Sequence, residues 1–286
     1  MSSQAQPAAT TPLLSGLMFP EAPRWRDGRL WFSDFFQERV FSCSLAADLR
    51  EEALVPGRPS GLGWRPDGSL LVVSMHDRRL LRRDGGRLRE VADLNAQTGG
   101  PCNDLLVDGA GRAYVGNFGF DLYAAAEPRT TCLLRVDTDG SVRRVAEDLL
   151  FPNGMALAPD GRTLIVAETH AHRLTAFEVD DRGDLSGRRV FAELPDAYPD
   201  GLCLDAEGAI WVADARGRAV LRVREGQGVV RSISTGARHA YGCMLGGDDG
   251  CTLFICSAPG VGPARAAARQ GCIGFIRVEV PHAGRP

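Results

Sequence analysis

Glu21, Asn103, Asn153 and Asp200 occupy matching places in a recurring pattern, and Ser60 and Tyr241 fill its remaining two positions. Two carboxylates and two carboxamides form a set of hard oxygen donors. Glu and Asp bring negative charge and Asn brings a neutral carbonyl, a mixture that suits Ca²⁺, Mg²⁺ or Mn²⁺ with water in the open positions. Without a cation, two buried carboxylates repel each other and are costly to ionise. Other chemistries are removed by what the chain lacks. All 33 cationic residues are arginine, so neither a Schiff-base lysine nor a phosphate-binding Walker lysine is present. There is no GxSxG elbow and no HExxH helix. Metal-assisted hydrolysis is the chemistry that remains.

Residues so far apart must be gathered by the fold, and self-comparison shows how. Six related segments begin at Glu21, Ser60, Asn103, Asn153, Asp200 and Tyr241, spaced by 39, 43, 50, 47 and 41 residues. Periods in this range mark repeat architectures. Each segment reads as a strand, a turn carrying Asp-Gly or a related pair, and a second strand of alternating apolar residues, which is the hairpin pattern. Two further strands follow, in the fourth unit at 172–179 and 188–193. The sequence therefore predicts an all-β chain: a six-bladed β-propeller with four-stranded antiparallel blades around a central, metal-containing channel. Residues 1–11 read as a flexible lead-in and 12–286 as a single propeller domain. Ring closure requires the ends to meet in one blade, so 272–279 and the segment before Glu21 are expected at the seam.

The first strand of each blade lines the channel, so the six starting residues converge on one mouth. The second strands end at the same mouth with Asp34, His76, Asn117, Glu168, Asp214 and Ser257, read as partners and pocket lining around the ion. His170 and His172 are expected to alternate on one strand as a surface pair, and His239 to pack near the mouth. Cys102 points away from the channel if Asn103 points in, which makes it a core thiol. Trp25, Trp64 and Trp211 read as packing between blades.

Composition narrows the function classes. With 33 basic and 36 acidic residues the net charge is -3, which gives no electrostatic footprint for nucleic acid or an anionic membrane. Apolar runs stay short of a membrane helix. The N-terminal stretch lacks the charged start and apolar core of a secretory signal, which points to the cytoplasm. Eight scattered cysteines without a CxxC pair read as buried free thiols.

Across about residues 17–280 the chain resembles the gluconolactonase and senescence-marker-protein family, the regucalcin-like six-bladed lactonases. The resemblance is carried by PEAPRW with Glu21, CNDLLVDGAGRAYVGN with Asn103 and Asp104, FPNGMALAPDG with Asn153, and YPDGLCLDAEGAIWVAD with Asp200. It implies that Glu21, Asn153 and Asp200 hold one divalent cation, Ca²⁺ first, with Zn²⁺, Mn²⁺ or Mg²⁺ as alternatives. Asp200 is then both ligand and catalyst, as general base or nucleophile in opening a lactone ring. Asn103, Asp121, Tyr241 and His76 are the expected substrate contacts. The implied partner is a small lactone or ester, met by a monomer or weak homo-oligomer. Where sugar-lactone members carry an arginine two residues before the blade-three Asn, this chain has Pro101, so an arginine that would hold sugar hydroxyls is missing. Phosphotriester cleavage at the same site, or a non-enzymatic metal-binding platform for a protein partner, are the competing readings.

Overall fold

A computed structural model describes residues 10–284. It folds into six four-stranded antiparallel sheets arranged as a six-bladed propeller, with one short helix, Pro263–Ala267. The fourth blade shows the plan: Pro152–Leu157, Thr163–Glu168, Arg173–Val179 and Leu185–Glu193 pair in chain order from axis to rim. Inner strands are buried along their length, whereas the rim strand Leu185–Glu193 is mostly exposed. In place of the expected alternation, the second strands carry nearly continuous apolar runs, as in Leu164–Ala167, because they are packed on both faces. Among the described residues no helix is long and apolar enough to cross a membrane.

Five blades are built from consecutive strands. The sixth combines His239–Gly246, Thr252–Ala258 and Gly271–Arg277 with the N-terminal strand Thr11–Leu17, which pairs antiparallel with Gly271–Arg277. The seam therefore lies where the sequence places it. Thr11, the last residue of the expected lead-in, already belongs to this strand; residues 1–9 of that segment lie outside the described residues.

Every innermost strand carries the same irregularity. The register breaks just after Glu21, and after Pro59, Cys102, Pro152, Pro199 and Ala240 in the other blades. A bulge there bends the strand and re-aims the side chain beside it, which turns Glu21, Ser60, Asn103, Asn153, Asp200 and Tyr241 toward the axis. In four blades the next residue is glycine, because neighbouring backbones touch at this point. A Cβ on Gly154 would sit 2.5 Å from the Asp200 carbonyl oxygen, and one on Gly201 would sit 2.8 Å from the Gly242 Cα.

The two blades without that glycine carry Ala22 and Asp104. Asp104 accepts from Arg24 at 2.8 Å, and Arg24 also donates to the carbonyls of Pro23 and Leu105. Both side chains are buried, so this ion pair closes the channel just below the ring. Beyond it, a cavity of about 370 Å³ opens to the opposite face, walled by Leu62, Trp64, Val107, Leu157 and Leu204.

Aromatic packing joins the blades. Trp25 stacks on Phe254 at 5.3 Å across the seam, Trp31 meets Trp64 edge-on at 5.3 Å, and Trp211 is fully buried. All eight cysteines are free. Cys102 is buried in the core between the second and third blades, and burial pushes its thiol up to about 12.

Candidate active site at the channel mouth

Glu21, Ser60, Asp104, Asn153, Asp200 and Tyr241 face one small space on the axis. Above it lies a cavity of about 570 Å³ with Glu21, Asn103, Asn153, Asp200 and Tyr241 in its wall. Ser60 ties two ring members together, donating to Glu21 Oε2 at 3.3 Å and standing 3.2 Å from Asn103 Oδ1. Asn153 donates its amide nitrogen to Thr169 Oγ1 at 3.1 Å, and Thr169 donates to the Pro199 carbonyl at 2.7 Å. The amide orientation this fixes leaves the Asn153 carbonyl oxygen as its uncommitted polar atom.

The hub has unmet demands. Asp200 Oδ1 and Asn103 Nδ2 are buried without a hydrogen-bond partner. Burial, reinforced by the charge of Asp104, raises the Glu21 carboxyl to about 8. Burial together with Glu21 and Asp104 raises Asp200 well above the usual carboxylate range. Such orphaned atoms are rare in native interiors and point to an absent ligand. A divalent cation fits this donor set, supplying the positive charge that returns both acids to their ionised form. Among the described residues no three His, Cys, Asp or Glu side chains gather as a metal cluster, so the fit depends on mixing carboxylates with the Asn153 amide.

The second ring behaves differently from its sequence reading. Asp34 accepts from the backbone amides of Met18 and Phe19, Glu168 from that of Leu150, and Asp214 from that of Tyr198. Asn117 bonds the backbone of Cys132 and Gly119, and Ser257 that of Cys272. None of these five lines the cavity. Asp34, Glu168 and Asp214 pin the loop entering the inner strand, because a side chain at the end of the second strand lies opposite that loop in the antiparallel pair, whereas Asn117 and Ser257 tie the second strand to the third.

His76 and Asp121 are also away from the cavity wall. His76 sits 3.1 Å from an Arg58 guanidinium nitrogen and 5.1 Å, ring to ring, from Tyr123; Asp121 is exposed and caps the amides of Tyr123 and Ala124. His170 lies in the single turn Thr169–Ala171, and His172 follows it in the left-handed region at φ 53°, so the two do not alternate on a strand. His170 does line the cavity, as does His239. Burial and the nearby Arg216 hold His170 below the usual imidazole range.

A family model described as SMP-30/Gluconolactonase/LRE-like region matches residues 19–259. The chain belongs to this family. It is 27% identical over 276 residues to the pentonolactonase XacC of Haloferax volcanii, covering 93% of this chain and 92% of that protein. It is 28% identical over 277 residues to the 6-deoxy-6-sulfogluconolactonase of Pseudomonas putida, covering 93% of each. A solved calcium-binding protein of Agrobacterium tumefaciens, regucalcin, superposes with a TM-score of 0.82 at 24% identity, covering 99% of this chain and 98% of that one. Within the family's ring, two residues drew no role from the sequence. Arg24 and Asp104 form the axial plug, and the signal for them was present: a carboxylate replaces the bulge glycine in the third blade while an arginine enters the hub strand of the first.

Proposed function

We propose that this chain is a lactonase that opens a cyclic ester at the channel mouth, with one divalent cation held by Glu21, Asn153 and Asp200. The observation that carries the reading is the convergence of these side chains on one axial space, with Asp200 Oδ1 and Asn103 Nδ2 buried and unpartnered. Sequence relatives over more than nine-tenths of the chain are named as lactonases, which supports it. The all-oxygen donor set favours Ca²⁺. When bound, the cation supplies Lewis-acid polarisation of the ester carbonyl and activation of a water.

The chain's own residues do the rest. Asp200, at the floor of the cavity with a free oxygen, takes a proton from the attacking water or attacks the carbonyl itself. Asn103 presents its Nδ2–H as a fixed donor to the oxygen on which negative charge grows as the ring opens. Ser60 holds that amide in place through Asn103 Oδ1. Tyr241, packed on Phe19 at 4.5 Å, walls the substrate on the seam side.

The test is hydrolysis of a lactone panel by the parent protein and by Asp200→Asn and Glu21→Gln, after chelation and after adding back Ca²⁺, Mn²⁺ or Zn²⁺. Loss of a proton acceptor costs about 10²–10⁴-fold in rate, so Asp200→Asn should fall by about that factor, and Glu21→Gln should lose turnover by losing a charged cation ligand, both keeping β-sheet circular dichroism. Undiminished turnover in either variant, or in the chelated parent, refutes the assignment.

A further inference from the structure

The cavity above the hub has two unlike halves. One half, contributed by blades one to four and the loop after Phe120, is apolar: Phe19, Phe35, Met75, Phe118, Tyr123 and Phe151. These rings brace one another, with Phe118 stacked on Phe151 at 4.2 Å and Phe19 edge-on to Phe35 at 6.0 Å. The other half, from the fourth to the sixth blade, carries His170, Tyr198, Arg216, His239 and Arg265. The carboxylates in the cavity wall are Glu21 and Asp200, both on the floor.

Arg216 and Arg265 are distinct from most arginines on the outside of the molecule. Those on outer strands pair with acids, as in Arg39–Glu51, Arg79–Glu90 and Arg189–Glu225. Among the described residues, Arg216 and Arg265 have no acidic partner. The Arg216 guanidinium carbon lies over the Tyr198 ring, 4.3 Å from its centroid, and the group donates to the Tyr198 hydroxyl at 3.3 Å. Arg265 donates through one nitrogen to the Pro259 carbonyl at 2.8 Å. Both guanidinium groups are positioned by their neighbours yet keep donors and full charge for a ligand.

Resting on the lactonase reading, we infer that the substrate is an amphipathic lactone, with an apolar or aryl body against the Phe118–Phe151 wall and a carboxylate remote from the ester against Arg216 and Arg265. A polyhydroxy lactone is disfavoured by the same wall. Apart from the Tyr123 hydroxyl, which is directed at the Met75 sulfur, a hydroxyl turned toward this wall gives up water and meets apolar side chains, and a polar group buried without a partner weakens binding. The volume of about 570 Å³ suits an aryl-substituted lactone.

Three matched γ-lactones test this: a phenyl-substituted lactone carboxylic acid, its methyl ester, and an unsubstituted polyhydroxy lactone. Binding of the corresponding non-hydrolysable lactams, measured by calorimetry, runs in parallel. The parent should prefer the acid over the ester by at least tenfold in kcat/KM, mainly through KM, and the polyhydroxy lactone should be the poorest. Arg216→Glu should reverse the acid-to-ester ratio, with Arg216→Lys restoring part of it, and Phe118→Ser should weaken acid and ester alike. A parent that favours the polyhydroxy lactone, or an Arg216→Glu variant with the parental ratio, overturns the inference. If no lactone is turned over but the lactams bind with the expected order, the lactonase reading falls and the cleft assignment stands; lactams bound without that order overturn the cleft assignment as well.

Discussion

Replacing Arg24 with alanine should move stability and cation response in opposite directions. The Arg24–Asp104 pair lies below the ring at 2.8 Å, with both side chains more than nine-tenths buried. Truncating Arg24 also strips a donor from the carbonyls of Pro23 and Leu105. Breaking a buried pair by removing one partner costs about 3–5 kcal/mol, because the remaining charge is uncompensated. At about 2 °C or more per kcal/mol for a domain of this size, the melting temperature in chelator should fall by about 6 °C or more. The freed Asp104 charge then acts on Glu21 and Asp200, whose carboxyls it already raises. Added negative potential at the hub attracts a divalent cation more strongly, so Ca²⁺ should bind roughly tenfold more tightly and restore about 1.4 kcal/mol of the lost stability at saturation. Thermal unfolding across a Ca²⁺ titration reads both effects, and the double variant Arg24→Ala with Asp104→Ala should recover part of the chelated stability. An Arg24→Ala protein that melts with the parent in chelator, or that responds more weakly to Ca²⁺, refutes this account of the hub.

Two further outcomes are expected. In chelator, parental stability should decline as pH rises from about 5 to 8: the unfolded Glu21 carboxyl ionises near 4.5, whereas in the folded protein it keeps its proton up to about 8. Glu21→Gln should flatten that decline, and equal slopes in melting temperature against pH for the two proteins would contradict it. Glu168 is fully buried and accepts from Leu150 N, Thr175, Arg173 and Arg188; Glu168→Ala leaves the Leu150 amide and Thr175 hydroxyl without an acceptor while both arginines still reach solvent, and should cost about 1–3 kcal/mol, measured by denaturant unfolding, although the residue lies outside the cavity.

The propeller was legible because its evidence is periodic. Six spaced segments with matching turns specify both the blades and the residues that meet at the axis, and the seam follows from the need to leave no open edge. Alternation alone misled for Asp34, Glu168 and Asp214. It placed them at the end of the second strand, but their backbone partners belong to the loop that enters the inner strand opposite them, which no period-two pattern encodes. The dipeptides Ser60-Gly61, Asn153-Gly154, Asp200-Gly201 and Tyr241-Gly242 were the readable trace of that bulge. The cavity walls were less accessible still. Leu122, Tyr123, Arg216, Val261 and Arg265 come from loops between strands, which differ in every blade and so offer no internal comparison. His76 and Asp121 were placed by proximity along the chain, whereas their side chains are engaged with Arg58 and with the 121–124 turn.

The strand Thr11–Leu17 has a consequence for how the molecule is made. It is made before every other strand of the described residues, yet its partner Gly271–Arg277 is made after all of them. At about 5–20 residues per second, a nascent chain spends many seconds with Glu21 and its blade lacking a neighbour on one side. Blades one to five can form as they appear, but the sixth blade, whose Gly242 lies against Pro23 of the first, is complete only when Gly271–Arg277 joins it. The axial ring of Glu21, Asn153 and Asp200 is therefore completed late in biogenesis, and a ribosome stalled before residue 271 would carry a stack of blades with an unclosed hub.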